Sequence, residues 1–136
     1  MMKSLSILLV DDDEIERMKF KKVCSDNSFI CSIIEAENGS KALSLLQDVK
    51  NSFNIIILDL HMPTMNGLEL LKKIKSSSIY KSIPIIIMSN SEDNNELKQC
   101  YELGVSGYFT KPAHYAKYAK KVKSLLKYWK RNELIS

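Results

Sequence analysis

Glycine and proline are scarce in this chain, four and three among 136 residues, too few for a collagen repeat, a Pro-rich tract or a Gly-rich linker. Long apolar runs are missing as well. The longest, at 55–58 and 85–88, fall far short of the roughly 20 residues needed to cross a bilayer, which excludes membrane insertion through a helix. The apolar stretch at 5–10 stops at Asp11-Asp12-Asp13-Glu14 without a small-residue cleavage site, unlike a secretory signal. Cysteine is limited to Cys24, Cys31 and Cys100, odd in number and dispersed, so neither a disulfide framework nor a zinc site is expected, and the three thiols are read as packing residues. These absences together predict a cytoplasmic protein in a reducing compartment.

What is present is ordinary globular material: 45% hydrophobic and 26% charged residues, in a length that suits one domain over residues 1–136. Net charge is +4, but it is unevenly distributed. Residues 1–110 hold 12 Lys and Arg against 15 Asp and Glu, a net of −3, whereas residues 111–136 hold 8 against 1, a net of +7. The basic excess therefore belongs to one terminal segment and is not a nucleic-acid footprint over the whole surface.

Short β-rich runs alternate with helical patterns. Residues 5–10, 53–59 and 83–88 are nearly continuous in apolar residues, the pattern of parallel strands covered on both faces. Residues 29–36 read as a further strand and 107–110 as a short last one. Between them, Ile15, Met18, Phe20, Val23 and Cys24 suggest one side of a first helix, and Ala42, Leu45, Leu46 and Val49 a second. Leu68, Leu71 and Ile74 mark a third, and Leu97, Cys100, Tyr101 and Leu103 a fourth that stops at Gly104. A final helix over about 112–131 carries an apolar stripe of Tyr115, Tyr118, Ala119, Val122, Leu125, Leu126 and Trp129 opposite a lysine-rich face. At 1.5 Å per residue it spans roughly 30 Å, long enough to overhang the sheet and support a homodimer. Five strands each followed by a helix predict an α/β fold: a five-stranded parallel sheet, doubly wound as (βα)5, in three layers.

Such sheets collect functional groups at the carboxyl ends of their strands. Here those ends carry Asp11-Asp12, Asp59, Ser89 and Lys111. Three carboxylates sharing one cavity repel one another unless a cation intervenes. Oxygen donors without a His or Cys cluster select a hard ion, so Mg²⁺ is expected, with Mn²⁺ as a substitute. A metal, the Lys111 ammonium and the Ser89 hydroxyl describe a phosphoryl site, and Asp59 at the end of the most buried strand is the candidate nucleophile. Asp13 suits a helix cap.

The motifs Leu8-Leu9-Val10-Asp11-Asp12-Asp13, Leu58-Asp59-Leu60-His61-Met62-Pro63-Thr64-Met65-Asn66-Gly67, Met88-Ser89-Asn90 and Gly107-Tyr108-Phe109-Thr110-Lys111-Pro112 resemble the receiver domain of two-component response regulators, of the stand-alone chemotaxis-receiver kind. The resemblance covers about residues 5–130 and implies a flavodoxin-like fold. It implies that Asp59 is the phosphoacceptor, that Asp12 binds Mg²⁺ directly and Asp11 through water or hydrogen bonding, and that His61 offers its backbone carbonyl to the metal. Ser89 would swing towards the phosphoryl oxygen, Lys111 would pair with it, and Tyr108 would be the aromatic switch. A cis bond between Lys111 and Pro112 is also implied.

The implied function is that of a switch more than an enzyme. A sensor histidine kinase or phosphotransfer protein would supply the phosphoryl group, and a face of helix four, strand five and helix five would signal to a downstream protein. The alternative is a phosphorelay intermediate that passes the group to a histidine phosphotransfer protein. An aspartate-type phosphatase is disfavoured because His61 stands where a second Asp is usual, and a flavin site because Asp11-Asp12-Asp13-Glu14 repels anions. Direct DNA binding is not expected, since the few residues after the last helix cannot make a helix-turn-helix.

Overall fold

The computed structural model describes residues 4–29, 31–62 and 65–132. Its elements alternate as β1 (Leu5–Val10), α1 (Glu14–Asp26), β2 (Cys31–Ala36), α2 (Gly39–Gln47), β3 (Ile55–Leu58), α3 (Gly67–Lys75), β4 (Ile85–Ser89), α4 (Asn94–Glu102), β5 (Gly107–Thr110) and α5 (Tyr115–Lys130). The strands form one sheet in the order β2-β1-β3-β4-β5, every pair parallel. This is the doubly wound arrangement expected from the alternation of periods, and the flavodoxin-like fold that the family resemblance implies.

The isoleucine-rich strands need two cores because side chains alternate across a sheet. Leu8, Val10, Ile56, Leu58, Ile85 and Ile87 face one core, closed by Ala42 and Leu46 of α2, Leu70, Leu71 and Ile74 of α3, and Cys100 of α4. Ile7, Leu9, Ile55, Ile57, Ile86 and Met88 face the other, closed by Phe20 and Val23 of α1 and by Tyr118, Val122, Leu125 and Leu126 of α5. Removing each such side chain from water stabilises the fold by roughly 1.5–3 kcal/mol. β2 and β5 lie at the edges, and their side chains are mostly half-buried.

Four helices start on a side-chain cap. Asp13, Asn38, Asn66 and Asp93 each accept a backbone N–H from the first turn of α1, α2, α3 and α4, satisfying donors that a helix leaves unpaired. Asp13 is thus occupied as a cap, accepting from the Ile15 N–H at 2.9 Å. α5 begins after His114 without a side-chain cap bond.

Several sequence expectations are corrected. Ile15 and Met18 are 67% and 56% exposed, because the inward face of α1 runs through positions 16, 20, 23 and 24, and 15 and 18 fall beside it. Val49 follows the end of α2 and is exposed, and Tyr101 also faces outward. β2 begins at Cys31 instead of Phe29, while Ile30 lies outside the described residues. β3 covers 55–58, shorter than its apolar run, and β4 covers 85–89, beginning just after Pro84, which cannot donate to a ladder. α5 has 16 residues, a length of about 24 Å; residues 112–114 form the turn before it. Among the described residues no peptide bond is cis, so Lys111–Pro112 is trans and not the cis bond expected; proline narrows the preference for trans but leaves trans the more stable isomer. The thiols are free. No described helix is long and apolar enough to cross a membrane.

Candidate functional site

β1 hydrogen-bonds both β2 and β3, so strand order reverses beside it, and a cleft opens at the carboxyl ends of the strands. Sheet hydrogen bonds continue one residue past those ends and pin the backbone of the site. Asp11 N–H donates to Ala36 O at 3.1 Å, Asp59 N–H to Val10 O at 2.9 Å, and Lys111 N–H to Ser89 O at 2.8 Å. Arg17 locks the β1–α1 turn by donating from Nη1 to Asp11 O at 2.7 Å and from Nε to Glu35 Oε1 at 3.0 Å.

Asp11, Asp12 and Asp59 each bring a carboxylate oxygen to within 4.8 Å of the others. Asp11 and Asp59 are 5% and 8% exposed, while Asp12 is exposed at the rim. Asp11 Oδ1 accepts from the Asp13 N–H at 3.0 Å and Oδ2 from Lys111 Nζ at 2.8 Å. Asp59 Oδ1 accepts from the His61 N–H at 3.2 Å, and its Oδ2 lies 3.9 Å from Lys111 Nζ. The cleft has a volume of about 200 Å³, with five carboxylates, Asp11, Asp12, Asp13, Glu16 and Asp59, against the Lys111 ammonium. The larger hollow of about 570 Å³ between β5 and α5 carries no carboxylate.

This imbalance has electrostatic consequences. Burial pushes the Asp59 carboxyl up to about 6; Asp11 and Asp12 add to the rise, and Lys111 and the His61 N–H only partly offset it. Burial works against the Lys111 ammonium, but the hydrogen bond to Asp11 and the charges of Asp11, Asp59 and Glu16 outweigh it and raise its pKa. The cleft is thus short of positive charge. Three hard oxygen donors at this spacing fit a divalent cation such as Mg²⁺ or Mn²⁺.

Ser89 is fully buried at the end of β4, and its Oγ accepts from the Ser91 N–H at 3.1 Å. Tyr108 on β5 is half-buried, and its hydroxyl donates to Ser91 O at 3.3 Å. Burial pushes the Tyr108 phenol up, with the Ser89 hydroxyl pulling the other way. Ser89 and Tyr108 therefore grip the same residue of the β4–α4 loop. The His61 side chain is exposed and meets Glu96 of α4, Nε2 to Oε2 at 3.0 Å. Pro63 and Thr64 of the second motif lie outside the described residues. His114 is exposed at the start of α5.

Two residues of this site were not expected from the sequence: Glu96, and Glu16, whose Oε2 lies 3.8 Å from Lys111 Nζ. For Glu16 a signal existed, since 16, 20 and 23 share the inward face of α1 at helical spacing. For Glu96 none did, because its partner lies on another element.

Comparison with known proteins agrees with this geometry. The model of the response regulator receiver domain family matches residues 7–123. Over 108 residues the chain is 35% identical to the two-component response regulator ORR6 of Oryza sativa subsp. japonica, covering 79% of this chain and 63% of that protein. The chain thus spans just under two thirds of that relative's length. Among solved structures, the phosphorylated cyanobacterial phytochrome response regulator RcpA superposes with a TM-score of 0.92 at 26% identity, covering 98% of this chain and 100% of that one. The Mn²⁺-bound form of response regulator Rcp1 superposes with a TM-score of 0.89 at 28% identity, covering 97% and 99%.

Proposed function

The chain belongs to the response regulator receiver domain family of two-component signalling, and from that membership we propose that Asp59 accepts a phosphoryl group from the phosphohistidine of a sensor kinase or phosphotransfer protein. The observation that carries this reading is the placement of Asp59: a carboxylate 8% exposed, with a backbone N–H on one oxygen and an ammonium 3.9 Å from the other. A nucleophile so held is oriented before its substrate arrives.

In the transfer, a carboxylate oxygen of Asp59 forms a bond to phosphorus as the phosphorus–nitrogen bond of phosphohistidine breaks. The electron pair returns to the imidazole, and an acyl phosphate results. Lys111 neutralises the developing charge on the phosphoryl oxygens, and the Ser89 hydroxyl donates to one of them. Asp11, Asp12 and Asp59, with the His61 backbone carbonyl, would hold Mg²⁺ or Mn²⁺, which would supply the positive charge that the cleft lacks. Asp11 is already bonded to Lys111, so in this scheme it orients the ammonium as well as binding the cation.

Ser89 leaves the Ser91 N–H when it turns to the phosphoryl group. The β4–α4 loop then loses the Ser89 bond to Ser91 while the Tyr108 bond remains, and the face of α4, β5 and α5 changes for a downstream protein. The chain acts as a switch that turns over only its own phosphoryl group. Its three free thiols support a reducing cytoplasm as its compartment.

Incubation with phosphoramidate, with and without Mg²⁺, followed by intact-mass measurement, tests the proposal. The wild type gains one phosphoryl group only with Mg²⁺, and Asp59→Asn gains none. A gain that persists in Asp59→Asn rejects Asp59 as the acceptor.

A further inference from the structure

Glu16 takes no part in the transfer scheme above, yet it sits in the same cleft. It lies on the face of α1 that also carries Phe20 and Val23 into the core, so the helix drives its carboxylate inward. Lys19, one turn on, donates to Oε1 at 3.3 Å and itself stands over the Tyr118 ring at 4.7 Å from the centroid. That brace holds the carboxylate in one orientation. Oε2 points the other way, is fully buried and has no hydrogen-bond donor; among side chains of the described residues it is the one polar atom in that condition.

A buried carboxylate oxygen without a donor is costly and persists only where a charge compensates it. Here the compensating charge is Lys111, whose Nζ lies 3.8 Å from Glu16 Oε2 and 3.9 Å from Asp59 Oδ2. The ammonium, 6% exposed and hydrogen-bonded to Asp11, therefore has two further carboxylates at nearly equal range. A phosphoryl group on Asp59 adds negative charge to one side only and draws Lys111 that way. The ammonium then withdraws from Glu16, whose Oε2 stays buried.

We propose that Glu16 is a positioning residue for Lys111, holding the ammonium on the α1 side of the cleft in the unphosphorylated protein and opposing its capture by the phosphoryl group. This inference rests on Asp59 being the phosphoacceptor. Glu16 then sets how tightly the phosphorylated form is held, without touching the reacting atoms.

The test uses the full chain with Mg²⁺ and beryllofluoride, a phosphoryl mimic, with binding read by ¹⁹F NMR. In parallel the Lys111 side-chain resonances are recorded in the ligand-free protein. Glu16→Gln, which keeps the shape and removes the charge, tightens beryllofluoride binding by about fivefold, the scale expected for directly coupled groups. It also shifts the ligand-free Lys111 resonance towards its beryllofluoride-bound position. Glu16→Met, uncharged and of similar length, changes both readouts in the same direction and guards against an artefact of the glutamine amide. Unchanged affinity overturns the proposal. So does a tighter affinity with the Lys111 resonance unmoved, since that is the mark of charge acting on the ligand through space. Failure of the wild type to bind beryllofluoride or take up phosphoryl groups counts against Asp59 as acceptor; whether Glu16 holds that ammonium is then decided by the ligand-free spectra alone, in which Glu16→Gln and Glu16→Met must move the Lys111 resonance in the same direction.

Discussion

The Lys111 ammonium is hydrogen-bonded to Asp11 Oδ2 at 2.8 Å across 100 positions of sequence. Both side chains are almost fully buried, at 6% and 7% exposure, so neither charge has water to fall back on. Removing one member of such a pair typically costs about 3–5 kcal/mol, because the other is left buried and uncompensated. Lys111→Met is therefore expected to lower stability by that order at pH 7 in chelator, measured by urea unfolding. Because a divalent cation can replace the lost charge, Mg²⁺ should recover part of the deficit and bind the variant more tightly than the wild type. Equal stability of the two proteins without metal contradicts the role assigned to this pair.

The Asp59 carboxyl, pushed up to about 6 by burial and by its acidic neighbours, makes stability depend on pH in the metal-free protein. Unfolding returns it to an ordinary carboxylate value, near 3.8. The folded state then holds a proton that the unfolded state has released between about 4 and 6. For this group, stability is greatest below that window, falls as pH rises through it, and levels off above it. Two pKa units correspond to about 3 kcal/mol. Asp59→Asn, neutral throughout, should be more stable than the wild type by up to that amount at pH 7.5 in chelator, and the gain should vanish near pH 4. Denaturation curves at the two pH values check this; a gain that grows on acidification has the opposite sign and rules the account out.

The strand ends were legible in the sequence because each buried strand stops at a polar residue that a parallel sheet must bring to one edge. Asp11, Asp59 and Lys111 were located in that way, and their side chains meet in the structure, while Ser89 adjoins them through its carbonyl, which accepts the Lys111 N–H. The sides of α1 were less legible: Ile15 and Met18 are apolar but exposed, while Glu16 is charged and turned inward. Hydrophobicity alone ranks these residues in the wrong order, since the helix phase is set by Phe20 and Val23. The His61–Glu96 contact joins the loop after β3 to α4, elements that no periodicity relates, so it follows only from the folded chain.

Ser89 and Tyr108 both hold Ser91, one through its N–H at 3.1 Å and the other through its carbonyl at 3.3 Å. If Ser89 leaves for a phosphoryl oxygen, Tyr108 must sense the release through their common neighbour. Beryllofluoride with Mg²⁺ should therefore shift the Tyr108 ring resonances in the wild type, and Ser89→Ala should abolish that shift while the ¹⁹F signal still reports bound ligand. Tyr108→Phe removes a single hydrogen bond and should cost about 1 kcal/mol of stability. Persistence of the ring shift in Ser89→Ala uncouples the two residues and sinks the switch.

Gly67 begins α3 and donates its N–H to Leu60 O at 2.8 Å, so the helix start is folded tightly against Asp59 and Leu60. A Cβ at this position would lie 2.4 Å from Asp59 O and 2.5 Å from Leu60 Cα. Both are backbone atoms and cannot rotate aside. Either α3 must withdraw or the Asp59 backbone must shift from its bond to Val10 O, and overpacking of this kind typically costs about 1–3 kcal/mol. Gly67→Ala should therefore lose stability on that scale and, where it remains folded, lose most of the Mg²⁺-dependent phosphoryl uptake from phosphoramidate, because a small misplacement of a nucleophile is enough to slow in-line transfer. Ser40→Ala at an exposed position in the first turn of α2 serves as the comparison, with stability near that of wild type and full uptake. Undiminished uptake by folded Gly67→Ala rejects the idea that this close approach sets the position of Asp59.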